Sequence, residues 1–251
     1  MPQELRIKLP HARQVLDMLE SLYGNEAKDS ARFCYDEPLD DLILTVLSQN
    51  TNDKLRDKAF ANMRQKYPTW EDVLSAPLDN LKETIRIAGM TSRKPANIQA
   101  ILKQILADFG CLSIKQMRAW EHAKARNYLI NLPGVGVKTV AVVECFDLQM
   151  PAFPVDTHIS RIAKHLGWAR ANESPDKIQA RIEKQLMSLS DRFLGGHLNF
   201  LCHGRGICNA RTPRCGDCPL AKICVTGKNK ERKKCDKENS HQSQKTKSQL
   251  H

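Results

Sequence analysis

Leu132-Pro133-Gly134-Val135-Gly136 is the stretch that leaves this chain the fewest choices. Pro133 fixes φ, and the two glycines permit positive φ and a close backbone approach. Helical patterns flank the stretch on both sides, so it must turn one helix tightly into the next. Lys138 and Thr139 then fall on the first turn of an apolar helix, and Asp156 follows 18 positions after Lys138, just ahead of another helix. An amine at one helix start and a carboxylate at the next form a candidate catalytic pair.

The rest of the chain reads as scaffold for that turn. Proline, glycine and cap signals mark helices over 11–23, 39–49, 54–67, 78–88, 94–109, 137–147, 157–166 and 174–189. A stretch capped by Ser113 is expected to stay helical to Ile130, and 191–202 is expected to be the last long helix. Ser174-Pro175 reads as an N-cap with proline at the first helical position. No alternating pattern of useful length supports a strand. The expected class is all-α, with roughly ten short helices.

The formal charge is +11, which favours a polyanionic partner, nucleic acid first. No apolar run is long enough to span a bilayer, and the N-terminus lacks a signal-peptide pattern. These features predict a cytoplasmic, nucleoid-associated chain with no membrane partner. Its nine cysteines then sit in a reducing compartment, where metal or cluster ligation outweighs disulfides. Residues 225–251 are expected to be a disordered basic tail. From Lys228 onward they hold eight Lys or Arg against three acids, with almost nothing to bury.

Cys208, Cys215, Cys218 and Cys224 place four thiols within 17 residues, beside Arg205, Arg211 and Arg214. Such density is a zinc or iron–sulfur signature. Only one Cys-x2-Cys pair is present, which tilts the reading toward iron–sulfur, but spacing leaves both open. Cys145, on an apolar helix, is most simply a core residue.

Three segments taken together, LPGVGVKTVAVV, VDTHISRI and HGRGICNARTPRCGDCPLAKIC, resemble the endonuclease III family of helix-hairpin-helix DNA glycosylases. The resemblance covers about residues 10–224. It implies two helical domains flanking a DNA-binding cleft: a six-helix barrel over 31–150, and a second domain joining 1–30 to 151–224. It implies a 4Fe–4S cluster on the four cysteines, with a structural role. The family's catalytic lysine falls on Lys138 and its aspartate on Asp156. Its substrates are mainly oxidised pyrimidines and abasic sites in double-stranded DNA, bound by a monomer. The duplex-inserting positions fall on Asn50 and Met90. Asn50 departs from the Gln often found there and is one methylene shorter, so either it fills the gap less fully or Gln49 helps. Met90 stands where Leu is common.

The chemistry suits these residues. A carboxylate stabilises the cationic sugar formed as an N-glycosidic bond breaks, and an amine captures C1′ as a Schiff base that permits β-elimination. Burial and the positive end of a helix both favour a neutral lysine, whereas Asp156 pushes the other way. The backbone amides of Gly134, Gly136 and Lys138 are placed to hold a phosphate, a contact without sequence information. Taken alone, Lys138 reads as a solvated lysine and Asp156 as a helix cap. Two alternatives stay open: a glycosylase without lyase activity, disfavoured by Lys138 and the short tail, and a non-catalytic DNA-binding module, which would need neither Asp156 nor the cysteines.

Overall fold

A computed structural model of the chain describes residues 5–24, 35–89 and 93–229, whose regular elements are all helical, with no strand among them. Up to residue 206 the α-helices run in the order α1 Leu9–Tyr23, α2 Pro38–Ser48, α3 Asp53–Lys66, α4 Trp70–Ser75, α5 Leu78–Thr84, α6 Lys94–Phe109, α7 His122–Ile130, α8 Val137–Phe146, α9 Thr157–Leu166, α10 Pro175–Gln185 and α11 Phe193–Gly206. They divide into two compact units, one of residues 29–154 and one of 1–28 with 155–251. The sequence alone places the divisions at 30/31 and 150/151.

Local chemistry explains most helix ends. Asn52 caps α3 by accepting from Leu55 N, and Thr69 and Asp72 form a reciprocal capping box on α4. Gly110 and Gly167 close α6 and α9 in left-handed backbone.

The hairpin unit is built on α2, whose Leu39, Leu42, Ile43, Val46 and Leu47 are fully buried. They join one apolar core with Ile98, Ile101, Leu102 and Ile105 of α6 and Val140 and Val143 of α8. Each such side chain stabilises the fold by about 1.5–3 kcal/mol relative to exposure. Glu144 of α8 is buried within this unit and is held by a bidentate pair from Arg126 of α7, at 2.6 and 3.1 Å. That pair fixes the two helices on either side of the turn.

The second unit packs α1 and α9 against α11. Trp168 sets its ring 5.8 Å from Phe200 and donates its indole N–H to His11 Nδ1 at 3.0 Å.

Several expectations are corrected. The helix expected from Ser113 to Ile130 is broken: Lys115–Ala119 is a 3-10 turn, and α7 starts only at His122. The Glu37 carboxylate, from before α2, accepts from Ser113 Oγ at 2.6 Å and Ile114 N at 3.1 Å, anchoring the chain out of helical register. The helix expected to reach 189 ends at Gln185, and a 3-10 turn, Met187–Arg192, pushes the last long helix to Phe193–Gly206. Ser174 precedes α10 without a side-chain cap bond. Residues 225–229, expected in the tail, are helical, and Gly227 lies so close to Ala221 that a Cβ there would come within 2.4 Å of its carbonyl oxygen. Residues 230–251, Met90, Cys34 and Cys235 lie outside the described residues.

Candidate active-site and cluster residues

Of the two glycines in the turn, Gly134 uses the conformational freedom expected of it and Gly136, at φ −107°, does not. Gly134 adopts φ +73°, and a side chain there would collide with Asn97, whose Nδ2 would lie 2.0 Å from the added Cβ. Gly136 sits at the N-cap of α8 with open space where a Cβ would be, and no side chain caps the helix. The first-turn amides of α8 therefore lack an intrahelical or side-chain acceptor and carry the positive end of the helix. Lys138 stands exposed on that turn. The burial expected around this amine is not found.

Asp156 belongs to the other unit. It is half-buried and caps α9, its Oδ1 accepting from Ile159 N at 2.8 Å. The capping role read from the sequence is thus real, and it leaves the carboxylate's second oxygen for other work. His158, on the same helix, packs its Cβ against Gly204, where an added Cβ would come within 2.7 Å, and its Nδ1 contacts Arg161 at 3.2 Å. It serves packing.

Asn50 ends the turn after α2. It is exposed, with φ +53°. Asn is one of the few non-glycine residues that tolerate this left-handed conformation. Gln49 is engaged: its Nε2 donates to Gly134 O at 2.9 Å, joining the exit of α2 to the hairpin turn.

The four cysteines come together. All four line one pocket with Ile162, Leu166 and Leu220. Burial pushes the Cys208 thiol up to about 11 and raises Cys218 and Cys224. Thiolates here would need the compensating charge of a bound metal group. Among the described residues no three Cys, His, Asp or Glu gather tightly enough to hold a single ion. Four thiols around one pocket form a donor set of the kind that holds zinc or an iron–sulfur cluster.

Neighbours missed in the sequence hold this loop. His165 Nδ1 lies 3.2 Å from Cys208 Sγ, and His203 Nε2 lies 3.5 Å from Cys218 Sγ. Burial lowers His203 to about 4, so it is neutral at ordinary pH. Arg161 donates to the carbonyls of Gly204 and Cys208 at 2.7–2.9 Å. Arg211 and Arg214 are exposed, and Arg214 donates to Gly206 O at 3.0 Å. No local pattern identifies these histidines, because their partners are 15 and 43 residues away.

Two further groups escaped the sequence. Lys94 is buried, and Asp41 and Asp147 form a buried, hydrogen-bonded carboxyl pair linking the start of α2 to the end of α8. Desolvation and the Asp41 charge push Asp147 up to about 9, and burial raises Asp41 as well.

The chain has clear relatives. It is 31% identical over 199 residues to an endonuclease III from Bacillus subtilis, an alignment covering 79% of this chain and 86% of that protein. It is 31% identical over 215 residues to an endonuclease III from Rickettsia felis, covering 85% and 94%. Among solved structures, a trapped endonuclease III–DNA covalent intermediate matches with a TM-score of 0.72 at 31% identity, covering 90% of this chain and 99% of that one. The family model for HhH-GPD base excision DNA repair proteins matches residues 43–187, more than half of the chain and inclusive of hairpin, Lys138 and Asp156. The chain belongs to the HhH-GPD superfamily of base excision DNA repair proteins.

Proposed function

We propose that this chain is a bifunctional DNA glycosylase and abasic-site lyase that removes oxidised pyrimidines from double-stranded DNA, acting as a monomer. The observation that carries the reading is Lys138 on the uncapped first turn of α8, next to Gly134 and Gly136. The amides hold a backbone phosphate, and the lysine stands beside the sugar of the nucleotide so gripped. Relatives aligned over most of the chain are endonucleases III, and one matching structure is a covalent intermediate with DNA.

The target nucleotide first leaves the base stack, at a cost of roughly a few kcal/mol that a damaged, weakly paired base reduces. The Asp156 carboxylate stabilises positive charge on the sugar as the bond from C1′ to the base nitrogen breaks. The leaving base takes that electron pair and a proton. The unprotonated Nζ of Lys138 bonds to C1′; the C1′–O4′ bond then breaks, O4′ takes the proton that the nitrogen releases, and the opened sugar is held as a protonated Schiff base. Removal of a C2′ proton then expels the 3′ phosphate by β-elimination. Asn50, with Met90, fills the space left by the extruded nucleotide. Arg211 and Arg214 add phosphate contacts of the sequence-independent kind.

Cys208, Cys215, Cys218 and Cys224 hold a 4Fe–4S cluster in this reading. The cluster supplies a fixed fold for the loop and takes no part in bond cleavage. His165 and His203 present ring nitrogens to two of its ligands, and Arg161 ties down the backbone at Cys208.

The test is borohydride trapping on abasic duplex DNA, wild type beside Lys138→Gln. Wild type should give a covalent adduct, and the variant should lose trapping and strand cleavage by at least about a thousandfold. An adduct that survives the substitution would assign the nucleophile to another amine.

A further inference from the structure

The first turn of α6 holds a residue that the chemistry above does not use. Lys94 is 1% exposed, and no carboxylate pairs with it among the described residues. Its Nζ instead donates to two carbonyls, Leu47 O and Ala88 O, each at 2.7 Å. Burying an ammonium costs several kcal/mol unless its protons are satisfied, so the arrangement has a purpose other than filling space.

The two carbonyls share a property: each lies at a helix C-terminus. The last four carbonyls of α2 are otherwise satisfied by Ser48 Oγ on Thr45, Gln49 N on Val46 and Thr51 N on Ser48, which leaves Leu47 O for Lys94. Ala88 closes the 3-10 turn Arg86–Ala88. An ammonium at the carbonyl end of α2 is favoured by that helix's dipole. One residue thus finishes two helices that are not consecutive in sequence.

One turn further along α6, Asn97 lies beneath Gly134. Gln49 closes the set by donating to Gly134 O. The start of α6 therefore touches the exit of α2 and the hairpin turn, and the α2 exit touches the hairpin directly. All of these residues lie in the unit of residues 29–154.

We propose that Lys94 is a positioning residue for base extrusion, which holds the Gln49–Asn50 turn in register with the phosphate-gripping hairpin through the shared first turn of α6. The proposal rests on the functional reading above. Asn50 must enter the duplex at a set distance from the phosphate held at Gly134 and Gly136. A turn fixed in advance spares the ordering of that segment during extrusion. Loss of the tether should therefore burden the step in which a stacked, paired base leaves the helix. It should burden neither duplex binding nor the chemistry on a base already unstacked.

The experiment is single-turnover excision of one oxidised pyrimidine in two duplexes. In the first it is paired with its complement; in the second it lies opposite a tetrahydrofuran residue, an abasic analogue without the C1′ hydroxyl that the lyase needs, and is unpaired and readily unstacked. Lys94→Met, Lys94→Arg and Gln49→Ala are compared with wild type, and Ile98→Val serves as a core control. Lys94→Met should slow excision from the paired duplex by about tenfold or more, the equivalent of ~1.4 kcal/mol. On the unstacked base it should stay within about threefold of wild type, as should duplex affinity, changes of under ~0.7 kcal/mol. Lys94→Arg, which keeps the charge and donors, should recover part of the loss, whereas Ile98→Val should lower the melting temperature and leave the paired-to-unstacked ratio alone. Should Lys94→Met fail to fold, Gln49→Ala decides, because its side chain is not in the core: a shifted ratio supports the tether, and an unchanged one overturns it. An unchanged ratio in a folded Lys94→Met, or an equal change in Ile98→Val, also overturns it. Wild type that excises neither base would sink the functional reading and the proposal together. Wild type that excises both, with Lys94→Met like it, would sink the proposal alone.

Discussion

The two units stabilise themselves in different ways. The hairpin unit owes its order to carbon: α2, α6 and α8 bury a continuous apolar core, and polar groups such as Lys94 and Glu144 are set into it with partners. The segment around the cysteines is the opposite case. Over residues 207–229 only Leu220 and Gly227 are buried. Turns, Arg161 and two histidines organise it around a pocket lined by thiols. A core of the first kind forms whenever the chain collapses. A loop of the second kind has little apolar surface to offset its conformational entropy, and in the proposed reading a group bound to the thiols makes up the difference.

The sharpest way to break this contrast is Cys218→Ser. Losing one ligand should remove the visible absorbance expected of an iron–sulfur protein and destabilise the second unit by several kcal/mol, since metal binding and folding are coupled. Limited proteolysis should then cut within 207–229 while 38–150 stays protected. Equal protection of both segments would mean that the loop is self-supporting. Ile101→Ala, in the middle of α6, should cost about 2–5 kcal/mol by leaving a cavity. Its effect belongs on the first unit: chemical denaturation should show a lower midpoint with the visible absorbance of the folded state retained. Bleaching by this variant would show that the two regions do not stand independently.

The smallest effect concerns the buried carboxyls. Asp147 and Asp41 are raised, so the folded chain keeps a proton that the unfolded chain releases near pH 4. Stability should then fall as pH rises from about 4 toward about 9 and level off beyond, since the unfolded state binds fewer protons over that window. Asp147→Asn should flatten the dependence of melting temperature on pH between 5 and 9, an effect on the order of 1–2 kcal/mol. A slope equal to that of wild type would place the retained proton elsewhere.

What could be read from the sequence was whatever is decided locally. The helix Thr157–Leu166 could be bounded because Asp156 caps it and Gly167 ends it, and Lys94–Phe109 because Gly110 takes the left-handed turn. The tight turn and the gathering of four cysteines were equally plain, one from its glycines and the other from its spacing. The break at 115–119 was not legible, because its cause is Glu37, 76 residues away from Ser113. Lys94 and Asp147 fell to the same limit. Each looks in the sequence like an ordinary polar residue at a helix end, and only the packing of distant helices turns them inward.

The left-handed backbone at Asn50 sets a limit on what this position can become. β-Branched residues are excluded there, and long side chains gain reach only against an unfavourable φ, whereas Asn, Asp and Gly sit without strain. Under the function proposed above, Asn50 enters the duplex as a short tip whose shape is settled before it meets a helix. In that reading, discrimination between lesions comes from how readily the target strand yields, more than from how far the protein extends into it.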